Sequence, residues 1–292
     1  MTRPKFGYTL LELLVSLSVV AVLVGLVLSA VQKVRASAQK SACVNQLRQL
    51  ALALQHSHDT NGRFPPGTHN QWGTQPYASW IARILPQIEQ DAAYRDFIAD
   101  YKKQIIFVGP PTHRNLARPL ATVLCPLGQK QFATTDDHIT AAFTYYLGNV
   151  GQNSGKKDGI LFLDSKVKTT DITDGLSQSI LIGERPPSPD NHFGWWYAGV
   201  GQQLDGEVDF LLGVRVTNQS FRAPTCPRNL AYPFRAGSLD DMCDAFHFWS
   251  LHAGGANFAF ADGSVRFMSY SANDILPALA SRAGGEVVNV PE

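Results

Sequence analysis

Between positions 13 and 32 the chain carries no charged side chain, reading LLVSLSVVAVLVGLVLSAVQ. A helix of about 20 apolar residues crosses a hydrocarbon core of roughly 30 Å, so this run restricts the fold more than any other feature. A secretory signal peptide is the competing reading. Its apolar region spans only about 7–15 residues and ends at a small-residue cleavage site. The run here is longer and passes into a helical pattern, which favours a retained membrane helix. Glu12 stands at its mouth. Insertion scales put a buried charge at roughly 2.5–3.5 kcal/mol at a helix centre and less near an end. Glu12 therefore either has a partner or reads as an interfacial charge touching headgroups.

Past the run the periodicity persists. Cys43, Leu47, Leu50 and Leu54 recur at helical spacing, with Ala42, Ala51 and Ala53 beside them, while Lys33, Arg35, Lys40 and Arg48 occupy other faces. No proline occurs between Lys5 and Phe64, and Asn61-Gly62 followed by Pro65-Pro66 is a stop signature. The sequence thus predicts one helix of about 50 residues, about 75 Å long at 1.5 Å per residue. Its first half belongs in lipid or a filament core, and its second half docks an apolar stripe on a head. Residues 1–60 hold six basic and two acidic side chains in a chain of net charge +1, so the remainder carries −3. A mildly acidic head argues against a nucleic-acid partner, which needs a basic surface, and the basic end around an apolar run points to membrane lipid.

The segment Lys5-Phe6-Gly7-Tyr8-Thr9-Leu10-Leu11-Glu12 resembles the leader of type IV prepilins and type II secretion pseudopilins. In that family a short basic leader ends in Gly, a membrane-embedded prepilin peptidase cuts after it and methylates the new amine, and an acid lies five residues into the mature chain. The resemblance implies that Gly7 ends the leader, Tyr8 is the new N-terminus and Glu12 is the assembly acid, placed to pair with the ammonium of a neighbouring subunit. One departure is Tyr8, where the family usually has Phe; the ring is kept. The implied partners are the prepilin peptidase and other pilin-like subunits. The implied location is the inner membrane, crossed once, with the C-terminal head in the periplasm or at the cell surface. Basic residues flank both ends of the span, so charge alone does not orient it. The expected organisation is a leader (1–7), a transmembrane helix (8–32), its extracytoplasmic continuation (33–61) and a globular head (62–292). The fold class is α+β and pilin-like.

The head reads as β-rich with long loops. Short helices are expected around Trp80–Leu85 and Tyr94–Ile98, and strands at 143–147, 159–163, 179–183 and 214–216, between Gly, Pro, Asn and Asp punctuation. Prolines at 185–189 and 224–227 mark loops. Near the C-terminus two alternating runs flank Asp262-Gly263, a signal for a two-residue type I′ hairpin turn. His252, nine residues, then Asp262-Gly263 also resembles the H-x9-DG region (252–263) of a large family of prepilin-like bacterial proteins. Further matching stretches are Cys43-Val-Asn-Gln-Leu, Arg63-Phe-Pro-Pro-Gly67, Cys125-Pro126, Asp174-Gly175, Gly183-Glu184 and 279–286. That resemblance covers nearly the whole chain and implies architecture more than mechanism.

Asp240, Asp241, Cys243, Asp244, His247, His252 and Asp262 lie close in sequence. Asp240, Asp241, Asp244, His252 and Asp262 form a candidate calcium set, since calcium takes several carboxylate and carbonyl oxygens. Some pseudopilins bind calcium in a head loop, which places calcium ahead of zinc, for which Cys and His would close a tetrahedron. The same residues also read as structural: Asp240-Asp241 capping a short helix, Cys243 bridged, His252 pinning a loop. The four cysteines allow three pairings. Cys226–Cys243 closes the shortest loop and avoids the helix, and the alternative keeps all four reduced and buried. No Gly-x-Ser-x-Gly elbow and no Gly-x-x-x-x-Gly-Lys phosphate loop is present. Trp195-Trp196-Tyr197 reads as a ligand platform or, since strand neighbours face opposite ways, partly as core. An enzymatic function is not expected. The reading is a structural or accessory subunit of a pilus or secretion pseudopilus, against a tethered ligand-binding or enzymatic ectodomain that uses the leader only for export.

Overall fold

The computed structural model describes residue 7 and residues 9–286. The expected leader, residue 7 excepted, and Tyr8 lie outside the described residues. From Leu10 the chain is helical to Asn61, and this helix, α1, has 52 residues. Residues 10–38 are exposed around the whole helix circumference although most of them are apolar. Among the described helices α1 is the one long and apolar enough to cross a membrane. It ends through Gly62, whose φ of +69° only glycine adopts freely; the Gly62 N–H closes on the His58 carbonyl at 2.7 Å. The chain divides into two compact units, Met1–Ala42 and Cys43–Glu292. The last part of α1, residues 43–61, therefore folds with the head.

Within the second unit, Leu47, Leu50, Ala51, Ala53 and Leu54 of α1 enter a core with Trp80, Tyr146, Leu161, Ile182, Trp196 and Ala259. Two helices frame this core, α2 (Trp80–Arg83) and α3 (Asp91–Lys103). Ser79 caps α2 by accepting from the Ala82 N–H. A small hairpin joins β1 (Phe132–Thr134) to β2 (Thr140–Ala142). The main sheet contains β3 (Tyr146–Asn149), β4 (Ile180–Glu184), β5 (Leu211–Leu212), β6 (Gly255–Phe260) and β7 (Val265–Ser269), in the order β5-β3-β4-β6-β7. All neighbours run antiparallel except β3 and β5. Apolar side chains cover both faces of this sheet, which is why β3 and β4 are buried throughout rather than alternately. Ala256, Phe258 and Phe260 of β6 belong to a second core with Leu147, Phe246 and Leu276, the last opening α4 (Leu276–Ala280). Ala259 and Ala261 face the first.

Two expectations need correction. Runs 159–163 and 214–216 are not ladder strands: Leu163 makes an isolated bridge to Thr68, and Val214 and Val216 make single backbone bonds. The β6–β7 connection is not a two-residue type I′ turn, which needs positive φ at both central residues. Only Gly263 has it, at +84°. The Phe260 N–H bonds to the Ser264 carbonyl at 2.9 Å, making a three-residue loop, Ala261-Asp262-Gly263, with glycine in the left-handed position.

Candidate functional site

At the start of α1, Thr9 and Glu12 form a reciprocal cap. The Thr9 N–H and hydroxyl both donate to Glu12 Oε2 at 2.9 Å, and the Glu12 N–H donates to Thr9 Oγ1 at 3.3 Å. This is the Thr-x-x-Glu capping box. Glu12 thus has a local structural task at the point where the helix begins, with Gly7 exposed just ahead of it.

The candidate calcium residues are not gathered at one point. The Asp244 carboxylate accepts from Arg235 at 3.1 Å, from the Ser238 N–H at 2.7 Å and sits 2.8 Å from His247 Nε2. Burial opposes ionisation there, but the bonds from His247 and Ser238 and the Arg235 charge hold Asp244 below the usual carboxylate range. Asp241 caps the one-turn helix Met242–Phe246 by accepting from the Cys243 N–H at 2.9 Å, and Asp240 is exposed. Asp262 accepts from the Ser264 N–H at 2.9 Å inside the hairpin loop. His252 is buried against Glu184 instead. Cys226 and Cys243 are joined in a disulfide. Trp195, Trp196 and Tyr197 are all buried, and the indole N–H groups of the two tryptophans donate to the Asn191 and Arg118 carbonyls.

The segment from His252 to Gly263 instead meets α1 at two places. Near its start, His252 Nε2 lies 3.5 Å from Glu184 Oε1, and Glu184 accepts from the Asn257 N–H at 2.7 Å and from its amide at 3.1 Å. The Cys43 and Cys125 thiols adjoin His252, and the three residues approach one another closely enough to share a ligand. At its far end, Gln55 of α1 donates to the Ala261 carbonyl at 2.7 Å. One segment thus ties the head's central strands to the helix. Sequence reading missed this: it picked out His252 and Asp262 but had no signal linking them to Glu184, Cys43 or Gln55.

A separate cavity of about 480 Å³ is lined by Tyr77, Phe107, Ile139, Phe193, Trp195 and Asp209. At its rim His192 contacts Asp136, and Arg222 contacts Asp137 and, at 2.7 Å, His192. Asp209 is 3% exposed and accepts from the Gly201 N–H at 2.7 Å. Burial pushes its carboxyl up to about 7 despite that bond and the nearby Arg185 charge.

Two families match the sequence. The prokaryotic N-terminal methylation motif covers residues 2–28. A family described as protein of unknown function, DUF1559, covers residues 32–274. The chain belongs to this second family. Membership accounts for a helix leading into a β-sheet-rich head, and the methylation motif for an apolar helix of membrane-anchor type at the N-terminus. Together the two matches point to a processed, pilin-like protein rather than a known enzyme. No curated protein and no solved structure matches the chain.

Proposed function

We propose that the chain is a structural or accessory subunit of a type IV pilus or type II secretion-like filament, without enzymatic activity. Residues 1–7 are the leader, prepilin peptidase cuts between Gly7 and Tyr8, α1 anchors the product in the inner membrane, and the head stands outside the cytoplasm. The observation that carries this reading is the methylation motif leading directly into a helix whose residues 10–38 are mostly apolar and all exposed. Such a surface needs lipid or the helices of other subunits around it. Cleavage would create an ammonium at Tyr8, four residues before Glu12, whose carboxylate Thr9 already orients. In the low dielectric of a helix bundle a pairing of Glu12 with a neighbour's ammonium sets register more than it adds stability.

Mass spectrometry of the mature N-terminus tests processing: the reading requires a methylated Tyr8, and an intact Met1 refutes it. Glu12→Leu tests assembly. The variant should insert and be cut normally but drop out of sheared filaments, because the neighbour's ammonium is buried without its partner. Wild-type filament content in that strain favours the second reading, a tethered ligand-binding head. The cavity beside Trp195 and Asp209 supports that reading, being apolar with a buried acid, as small-molecule sites are.

A further inference from the structure

Cys43 is the first buried residue of α1 and opens the head unit. It faces Cys125, 82 residues away, with the two Sγ atoms 2.7 Å apart. Both are buried, at 0% and 5% exposure, in a small cluster with Tyr145. The backbone around them is held in register. Gln46, one turn beyond Cys43, donates to the Ala121 carbonyl at 2.9 Å and accepts from the Tyr146 hydroxyl at 2.7 Å. The Tyr145 N–H donates to the Val123 carbonyl at 2.9 Å. The close approach of the sulfurs is therefore built by the helix, the 121–125 turn and β3 together.

We propose that Cys43 and Cys125 form a second disulfide, which staples α1 to the head at the point where the helix enters it. A separation of 2.7 Å is shorter than two sulfurs keep without a bond, and a small side-chain adjustment brings them to the bonded distance of about 2.05 Å. A shared zinc fits less well. Two thiolates at about 2.3 Å from a tetrahedral zinc stand about 3.8 Å apart, so binding it would force the pair open. The third residue able to ligate there, His252, lies with its Nε2 3.5 Å from Glu184 Oε1. Left reduced, the pair also keeps charge in the interior. The contact with Cys43 outweighs burial and, with His252 assisting, holds the Cys125 thiol below its usual range, which favours a buried thiolate. Oxidation removes it.

The bond forms while the head folds, before burial seals the site. One thiolate attacks the disulfide of an extracytoplasmic dithiol oxidase and expels an oxidase thiolate. The second protein thiol gives up its proton to that thiolate and attacks the mixed disulfide, releasing the other oxidase sulfur. Two protein thiols are oxidised, and one oxidase disulfide becomes a thiol and a thiolate.

This proposal rests on the extracytoplasmic placement of the head, and one experiment separates the two. The full-length protein is purified in detergent, unfolded in guanidinium with N-ethylmaleimide and no reductant, and weighed intact. No adduct, rising to four after reduction, with a Cys43–Cys125 cross-linked peptide, is the expected result. Two adducts mapped to Cys43 and Cys125 overturn the second disulfide while leaving the compartment standing; a zinc ion retained with them in native mass spectra assigns the pair to a metal instead. Four adducts overturn the placement as well. As a second measurement, Cys43→Ala and Cys125→Ala should each lower Tm by about 10 °C, and the double variant by no more, because either change opens the same loop.

Discussion

Asp209 carries a charge problem that the fold resolves by protonation. Its carboxyl is buried, and the same burial that raises it to about 7 raises Glu207, two residues earlier, to about 7, helped by the Asp205 charge. A carboxyl whose folded value lies above its unfolded value keeps its proton longer in the folded state. Its contribution is then most favourable near pH 4, declines as pH rises towards 7, and is level above that. For Asp209 the span from 3.8 to about 7 corresponds to at most about 4 kcal/mol. Asp244 has the opposite sign and loses its contribution only at acid pH, so it is silent between pH 5 and 8. Asp209→Asn imitates the protonated form. It should leave stability near pH 4 little changed and raise it at pH 8, flattening the decline. Denaturant melts at both pH values read the difference, and parallel pH slopes for variant and wild type would show that Asp209 is ionised in the fold throughout.

The elements differ in how far the sequence foretells them, and the difference follows the range of the interactions. Helix α1 is legible because its causes are local, an uncharged run and a stop at Gly62, although the Thr9–Glu12 cap at its start was not read from the sequence. The hairpin was placed correctly at Asp262-Gly263, but its loop length was not, because Asp-Gly serves a three-residue loop as well as a two-residue one. Runs 159–163 and 214–216 have strand composition without strand partners, since such composition reports a half-buried pleated surface and not a neighbour to pair with. The cluster of Cys43, Cys125, Glu184 and His252 was illegible, because it joins four distant segments and periodicity carries no information about that. The hairpin tip offers a direct test. Gly263 holds a φ of +84°, and an added Cβ would meet Gln55 and Leu52 at ordinary contact distances of 3.4–3.5 Å. The obstacle to substitution is thus backbone strain and not space. Gly263→Val should destabilise the head by about 1–3 kcal/mol, and Gly263→Asn by clearly less, since Asn tolerates the left-handed region. Equal losses in urea unfolding would instead implicate the contact with Gln55.

At the scale of the molecule, α1 does two jobs that divide near Cys43. Before it, the helix leaves apolar side chains exposed among the described residues. After it, Leu47, Leu50 and Leu54 are fully buried in the head's main core. Burying a leucine side chain is worth about 1.5–3 kcal/mol, so these three contribute about 5–9 kcal/mol. A domain's whole stability is about 5–15 kcal/mol. The second part of α1 is therefore a core element and not a stalk. A fragment beginning at Lys40 should be soluble without detergent and unfold in one cooperative transition. A fragment beginning at Gly62 lacks those leucines and the Gln55 bond to the Ala261 carbonyl, and should fail to fold or expose an apolar trough that binds hydrophobic dye. Adding a synthetic peptide of residues 40–61 should then restore the transition. A cooperative melt of the shorter fragment at the temperature of the longer one would show that the head is complete without the helix, and that α1 only carries it.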